Sequence, residues 1–241
     1  MTLLAARGIS VAYGGLVALG GVDFAIEERQ VIALLGPNGS GKTTLFDVLS
    51  GLRRPAAGDV WLRGERVTGL PPWQLARRGV GRTFQIPEPF GALSVRDNVL
   101  VGVTFQARRP RTRAERLREV ERLLTIVGLT DRAGDAAATL SLGERKRLEL
   151  ALGLSGRPAL LLLDELASGL SPKGREEVVR FYARLRAHGL TIIAVEHSFA
   201  VLAEVADRVL VLDRGTLVAD GPPAAVLDSP TLRTAYMGEE E

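Results

Sequence analysis

A glycine-rich stretch, GPNGSGKT at residues 36–43, has the residue types and the spacing needed to bind a chain of phosphates. Glycines let the backbone curl so that successive N–H groups point at phosphate oxygens, and the N-terminus of a following helix favours negative charge. The order Gly36, four residues, Gly41, Lys42 and Thr43 is that of a nucleotide phosphate loop. We therefore expect the following residues to bind ATP: Gly36, Pro37, Asn38, Gly39, Ser40, Gly41, Lys42, Thr43 and Thr44.

Two side chains at the end of this loop have more specific expected roles. Lys42 should reach the terminal phosphates, and the Thr43 hydroxyl should bind Mg²⁺. The alternative is a glycine-rich turn that ends in Lys-Thr by chance. The flanking residues argue against it, because an apolar run precedes the loop and a helical run, residues 44–49, follows it.

Two adjacent carboxylates, Asp164 and Glu165, follow an apolar run at residues 159–163. In a parallel sheet the carboxyl end of a strand faces the crevice where ligands bind. Asp164 suits a role at Mg²⁺, either directly or through one of the ligands of the ion, and Glu165 suits a general base for the attacking water. Alone, an apolar strand that ends in Asp-Glu is common; the phosphate loop is what favours the catalytic interpretation.

The elements that must position these residues follow an α/β pattern. Short β-branched and Leu-rich runs lie beside longer amphipathic stretches, which predicts a largely parallel sheet. The predicted core strands are residues 31–35, 80–84, 159–163, 190–195 and 208–212. Residues 3–26, with turn signals at Gly14-Gly15 and Gly20-Gly21, predict short strands that form an additional antiparallel layer together with residues 58–63.

Residues 94–153 have helical periodicity almost throughout, and one apolar stripe contains Leu117, Val120, Leu123, Leu124 and Val127. We predict that this segment is a helical subdomain inserted between two core strands. The chain as a whole is predicted to be a single domain. Residues 1–85 and 156–241 form its nucleotide-binding core with the β layer, and residues 86–155 form the helical subdomain.

Composition excludes several classes of function. The chain has no cysteine, and its two histidines, His188 and His197, cannot form a zinc site by themselves. No apolar run approaches the roughly 18 residues that a membrane helix needs, and the N-terminus lacks a signal-peptide pattern, so a soluble, cytoplasmic chain is expected. The net charge is +3 with arginines scattered among acidic residues, so no nucleic-acid partner is expected.

The stretch TLSLGERKRLELALGL, residues 139–154, resembles the signature of the nucleotide-binding subunits of ABC transporters, which reads Leu-Ser-Gly-Gly-Gln. Leu140, Ser141 and Gly143 match the signature, whereas Leu142 and Glu144 depart from it. The resemblance extends over essentially the whole chain. It implies the P-loop fold of ABC ATPases and ATP hydrolysis that is coupled to transport.

The resemblance assigns roles to further residues. Gln85 in RTFQ is similar to the Q-loop glutamine, a catalytic and Mg²⁺-binding residue that links the γ-phosphate site to the membrane partner. His197 in VEHS is similar to the catalytic switch histidine, and Tyr13 stands where the family places an aromatic ring under adenine. Ser171 and Leu166 depart from the usual Asp of the D-loop and the usual Pro after the catalytic Glu.

The resemblance also implies partners. Two ATP-binding subunits, identical or different, pair head to tail, and the signature segment of one closes over the ATP of the other through Ser141, Gly143 and Glu144. Closure then moves membrane-spanning permease subunits through a groove near Gln85 and residues 86–95. The implied location is the cytoplasmic face of the cell membrane, with a substrate-binding protein as an indirect partner.

Finer resemblance points to the ATPases of branched-chain amino acid importers, through the segments GRTFQ, GERKRLELA, ASGLSP, VEHS and AYMGEE. Urea and amide importers share much of this pattern, and a lipopolysaccharide exporter shares its C-terminal style, so both stay open. ABC ATPases of translation or DNA repair usually carry two cassettes or a long coiled-coil insertion, and this chain shows one cassette with a compact helical insert. A chain that only binds nucleotide is disfavoured because Glu165 and His197 are both present.

Overall fold

A six-stranded sheet forms the centre of the molecule in the computed structural model, which describes residues 1–83, 89–105, 112–167, 172–195 and 204–227. Its strands are β3 (Val31–Leu35), β6 (Val80–Arg82), β7 (Leu160–Asp164), β8 (Thr191–Val195), β9 (Arg208–Asp213) and β10 (Thr216–Gly221). Their order across the sheet is β10-β9-β3-β8-β7-β6. All neighbours are parallel except β10, which runs antiparallel to β9.

The core strands lie where the apolar runs predicted them. Every residue of β3, β7 and β8 is buried, as a parallel sheet with both faces covered requires. The predicted boundaries differ by a residue at β7, which starts at Leu160 and includes Asp164. Phe84, at the end of the predicted strand 80–84, lies outside the described residues.

A second sheet confirms the predicted antiparallel layer. It contains β1 (Thr2–Tyr13), β2 (Leu16–Glu27), β4 (Ala57–Leu62) and β5 (Glu65–Arg66), in the order β2-β1-β4-β5. All three pairings are antiparallel.

The prediction of a turn at Gly20-Gly21 is wrong, because β2 continues through both glycines. The pairing register slips here between Ile9 with Val22 and Ser10 with Gly20, and Gly21 has a φ of 77°. The glycine pair therefore marks a β-bulge, which also accommodates positive φ without breaking the strand. At the bulge the Gly20 N–H donates to Gly215 O at 2.9 Å, which joins the two sheets.

The helices cover the sheets. They are α1 (Lys42–Leu49), α2 (Pro72–Arg77), α3 (Val95–Phe105), α4 (Arg113–Val127), α5 (Leu142–Ser155), α6 (Pro172–Ala187) and α7 (Pro223–Leu227). The predicted helical segment is thus α3, α4 and α5, which pack on one another, with two 3-10 turns between α4 and α5. Four residues of the predicted apolar stripe are buried, and Leu117 is half-buried.

Side chains of each core strand alternate between two apolar clusters. Val31, Ala33 and Leu35 of β3 pack in one cluster with residues of α3, α4, α5 and α6. Ile32 and Leu34 pack in the other cluster with α1 and the antiparallel sheet. This alternation follows from the period of two in a strand. The central sheet is therefore enclosed on both faces, and the carboxyl ends of its strands are left to form a site.

Candidate functional site

The phosphate loop connects β3 to α1, as predicted, and two of its glycines cannot carry a side chain. A Cβ at Gly36 would lie 2.5 Å from Ser40 Oγ and still closer to Leu212 O. A Cβ at Gly41, whose φ is 105°, would lie 2.6 Å from Ala18 O. Both distances are far shorter than a normal van der Waals contact of a Cβ atom. The backbone of the loop is thus pressed against its neighbours, with Gly41 immediately before the first turn of α1.

Lys42 opens α1 and its ammonium lies against the loop that precedes it. Nζ donates to Gly36 O at 2.6 Å and to Pro37 O at 2.8 Å. The next residue, Thr43, is exposed in the first turn of α1, and Ser40 is buried. A positive charge, an exposed hydroxyl and a helix N-terminus are therefore gathered at one point, which is a favourable arrangement for an anion.

The acidic pair lies at the carboxyl end of β7. Asp164 is buried, and its N–H donates to Thr83 Oγ1 at 3.1 Å. Burial raises the pKa of the Asp164 carboxyl above its usual range; the charge of Arg82 opposes this effect, and the charge of Glu165 adds to it. A cation bound at this carboxyl group would offset the cost of burying its negative charge.

Glu165 has an unusual backbone conformation, with a φ of 50°. Left-handed conformations are uncommon for residues other than glycine and tend to be held by their surroundings. Here the Glu165 N–H donates to Val195 O of β8 at 2.9 Å, and Glu165 O accepts a hydrogen bond from Lys146 Nζ of α5 at 2.7 Å. Two other elements therefore fix the residue that the sequence predicts to be the general base.

Arg82 belongs to this site although sequence reasoning assigned it no role. It is 8% exposed, and its Nη1 donates to Asp47 Oδ1 at 2.7 Å and to Ser50 Oγ at 2.8 Å. Its Nη2 lies 3.9 Å from Asp164 Oδ2. Asp47 belongs to α1, so Arg82 connects the helix of the phosphate loop to the acidic strand. An arginine inside a predicted core strand is the sequence signal that could have identified it.

The signature segment begins α5 with a capping box. The Ser141 N–H and Oγ–H donate to Glu144 Oε2 at 2.9 and 2.8 Å, and the Glu144 N–H donates to Ser141 Oγ at 3.4 Å. The hydrogen bonds from Ser141 lower the pKa of Glu144, so that this carboxylate is charged at neutral pH. Leu142, the first residue of the helix, is 50% exposed. Glu144 therefore orients the side chain of Ser141, which the sequence predicts to contact nucleotide.

The signature residues line a cleft between α5 and α6 with a volume of about 540 Å³. Ser141, Gly143 and Glu144 contribute to it together with Lys146 and Phe181, and no residue of the phosphate loop lines it among those that the structure describes. The cleft beside the signature segment is therefore distinct from the phosphate loop.

Tyr13 lies at the end of β1 and is 42% exposed. The Arg53 guanidinium covers one face of its ring at 4.0 Å from the centroid, while Arg53 Nη2 donates to Ala12 O at 3.2 Å. Two other predicted site residues, Gln85 and His197, lie outside the described residues, as does Ser171 of the D-loop, so their placement stays a prediction.

Comparison with known proteins decides the family. Residues 19–168 match the sequence profile of the family described as ABC transporter. This chain belongs to that family. It is 38% identical to the high-affinity branched-chain amino acid transport ATP-binding protein BraF of Pseudomonas aeruginosa, and 35% identical to the corresponding protein LivG of Escherichia coli strain K12. Each alignment covers 98% of this chain and 98% of the relative.

The fold of this ABC ATPase is also that of solved cassettes. The crystal structure of MJ1267, an ATP-binding cassette of an ABC transporter in its ADP conformation, matches with a TM-score of 0.88 and 27% identity. The match covers 99% of both chains. The predicted family and fold class are therefore confirmed. Within the described residues, none of the helices of this ABC ATPase has the length and apolar character needed to cross a membrane.

Proposed function

We propose that this ABC ATPase powers an importer of branched-chain or chemically related amino acids from the cytoplasmic face of the cell membrane. The observation that carries the proposal is its similarity to BraF and LivG from one end of the chain to the other. The transported substrate does not contact an ATP-binding subunit, so no single residue of the chain can identify it. The support for this class of importer is therefore the similarity of the whole ATPase, including the surfaces that would meet the permease.

ATP is held by the phosphate loop in this proposal. The backbone N–H groups of the phosphate loop surround the phosphates, Lys42 neutralises their charge, and Tyr13 stacks on adenine with the ring face that Arg53 leaves uncovered. When bound, Mg²⁺ would supply positive charge to the β- and γ-phosphates. The oxygen donors present suit this ion, since the Thr43 hydroxyl is exposed and the Asp164 carboxylate ends β7, and Gln85 would be a further ligand.

Hydrolysis requires a base beside the terminal phosphate. Glu165 accepts a proton from water as the water oxygen bonds to the γ-phosphorus and the bond from phosphorus to the bridging oxygen breaks. The backbone contacts of Glu165 to β8 and α5 support this role because they fix the residue that carries the carboxylate. His197 and Gln85 complete the catalytic residues of the proposal.

A second ATP-binding subunit, identical or different, completes each site. The cleft at the signature segment supports this arrangement, because Ser141, Gly143 and Glu144 line it without any described residue of the phosphate loop. We assign the nucleotide-binding core to residues 1–85 and 156–241 and the helical subdomain to residues 86–155. The helical subdomain would meet the permease subunits, and a substrate-binding protein would act from the far side of the membrane.

The proposal is tested in the native organism with a strain that lacks this chain. Uptake of labelled leucine or isoleucine should fall and should return with the unmodified gene, but not with Lys42→Ala. Affinity purification from the native membrane should recover permease subunits with the chain. Loss of urea or amide uptake instead would assign the alternative importer, and purification without any membrane protein would contradict a transport role.

A further inference from the structure

Lys146 in α5 places a buried ammonium group against the chain segment that carries the general base. The residue is 8% exposed, and its Nζ donates to Glu165 O at 2.7 Å and to Leu166 O at 3.4 Å. A charged group is costly to bury unless strong hydrogen bonds compensate for lost water, and carbonyl oxygens provide that compensation here. The carbonyl oxygens of Glu165 and Leu166 are therefore hydrogen-bond acceptors that stabilise the buried ammonium group of Lys146.

The segment that Lys146 contacts needs a restraint from outside. Glu165 has a left-handed backbone, with a φ of 50°, and its own N–H is already held by Val195 O. Leu166 replaces the proline that the family usually places after the catalytic glutamate, and a proline ring would fix its φ covalently. With leucine at this position, that restraint is missing, and the hydrogen bonds from Lys146 restrict the same peptide groups.

Lys146 also belongs to the helix that starts with the signature segment. It lies three residues after Gly143 and five after Ser141, so a rise of about 1.5 Å per residue puts it roughly 7.5 Å along the helix axis from Ser141. A helix of this length moves as a rigid unit over such a distance. Any displacement of Ser141 and Gly143 therefore reaches Lys146 and, through its hydrogen bonds, the backbone of Glu165.

We propose that Lys146 is a positioning residue for Glu165, which holds the general base of one ATP site in place and makes it respond to the signature segment that serves the other site. The inference rests on the proposed roles of Glu165 and the signature segment. It explains why a lysine is buried at the junction of α5 and β7, where an apolar residue would pack at lower cost.

The test compares ATP turnover of the full chain with that of Lys146→Met, which keeps the length of the stem and removes the ammonium. We expect kcat to fall by about 10- to 100-fold, since a misplacement of about 1 Å can cost that much. Nucleotide affinity should change less than threefold, because the phosphate loop is untouched. Lys146→Arg, which still donates to carbonyls, should recover most of the lost turnover. Arg118→Met, an exposed position on α4, is the matched control and should behave like the unmodified chain.

A double-mutant cycle tests the link to the signature segment. If Lys146 transmits the position of that segment, the effects of Ser141→Ala and Lys146→Met on kcat should be strongly non-additive, since each breaks the same connection. Additive effects would overturn the coupling. Unchanged kcat in Lys146→Met, or a loss of affinity and thermal stability in proportion to kcat, would overturn the positioning role. An unmodified chain without ATPase activity would instead contradict the proposed function.

Discussion

At the residue scale, Glu165 serves ATP hydrolysis in the proposal and Lys42 serves ATP binding. Substitutions of the two residues should therefore have opposite effects on the retention of ATP. Glu165→Gln keeps the shape of the side chain but removes most of its basicity, so turnover should fall by about 10²–10⁴. ATP binding should survive, because Lys42 and its loop are unchanged, and bound ATP should then hold two subunits together. Turnover, nucleotide retention and oligomeric state on gel filtration with Mg-ATP measure these effects.

The contrasting variant is Lys42→Ala. It loses the charge that neutralises the phosphates, so we expect little nucleotide retention and no ATP-dependent dimer. Full turnover in Glu165→Gln would remove this residue from the mechanism and turn attention to His197 and Gln85. Retained ATP in Lys42→Ala would show that the loop backbone alone is sufficient for binding.

Arg82 is the second residue whose removal should have a large effect. Arg82→Met leaves two carboxylates, Asp47 and the buried Asp164, without their cationic neighbour. Breaking a buried pair typically costs 3–5 kcal/mol, and we expect about 3 kcal/mol here because Asp47 is partly exposed. Urea unfolding measures the loss. The control Arg66→Met breaks an exposed pair with Asp59 and should leave the free energy of unfolding nearly unchanged; equal losses in the two variants would contradict this account.

At the scale of elements, Glu119 anchors α4 to the start of the acidic strand. Its carboxylate is buried and accepts hydrogen bonds from Arg122 of α4 at 2.7 Å and from Arg157, just before β7, at 2.9 Å. Burial pushes the pKa of Glu119 up, but the hydrogen bonds from the two arginines outweigh burial and hold this pKa below its usual range. The charged form is therefore the one that stabilises the fold.

The lowered pKa of Glu119 determines how the stability of the protein changes with pH. A carboxyl with a lowered pKa in the folded state stabilises the protein fully above the unfolded pKa of about 4.3, and this contribution is lost as pH falls through the folded value. The stability advantage of the unmodified chain over Glu119→Gln should therefore shrink between about pH 5 and pH 3. Chemical unfolding at several pH values measures it, with Glu121→Gln on the exposed face of α4 as control. An advantage that stays constant over this range would refute the assignment.

The first turn of α5 offers another test at this scale. Leu142 is half exposed and occupies a position where the family usually has glycine. Leu142→Gly should change stability by no more than about 1 kcal/mol, the usual cost of glycine in a helix. ATP affinity of the single chain should stay the same, whereas ATP-dependent pairing or turnover should change, because this residue faces the partner in the proposed dimer. A large loss of affinity in the isolated chain would show that Leu142 serves its own site.

The whole molecule shows which features a sequence can predict. The phosphate loop, the acidic pair and the buried strands β3, β7 and β8 follow from local patterns, in which the residues that define a feature are close in the chain. Arg82 and Lys146 were not assigned roles because their partners, Asp47 and Glu165, are 35 and 19 residues away. Pairing of that kind depends on tertiary packing, which local periodicity does not encode.

The error at Gly20-Gly21 has a related cause. Paired glycines permit positive φ, and both a turn and a bulge need it, so composition alone does not separate the two. The deciding contact is with Gly215, which lies 195 residues further along the chain from Gly20. The turn between β9 and β10 that contains Gly215 reaches the phosphate loop as well, since the Gly215 N–H donates to Ser40 O at 3.0 Å.

That turn has a consequence for local opening of the protein. Gly215 hydrogen-bonds both to β2 of the antiparallel sheet and to the phosphate loop, so neither can open without losing a contact to the same residue. Groups that open together exchange their amide hydrogens with one shared free energy. We therefore expect the amides of Gly20 and Gly215 to exchange at similar rates in deuterated buffer, and nucleotide bound at the loop should slow both by the same factor. Slowing of Gly215 alone would mean that the antiparallel sheet opens independently of the ATP site.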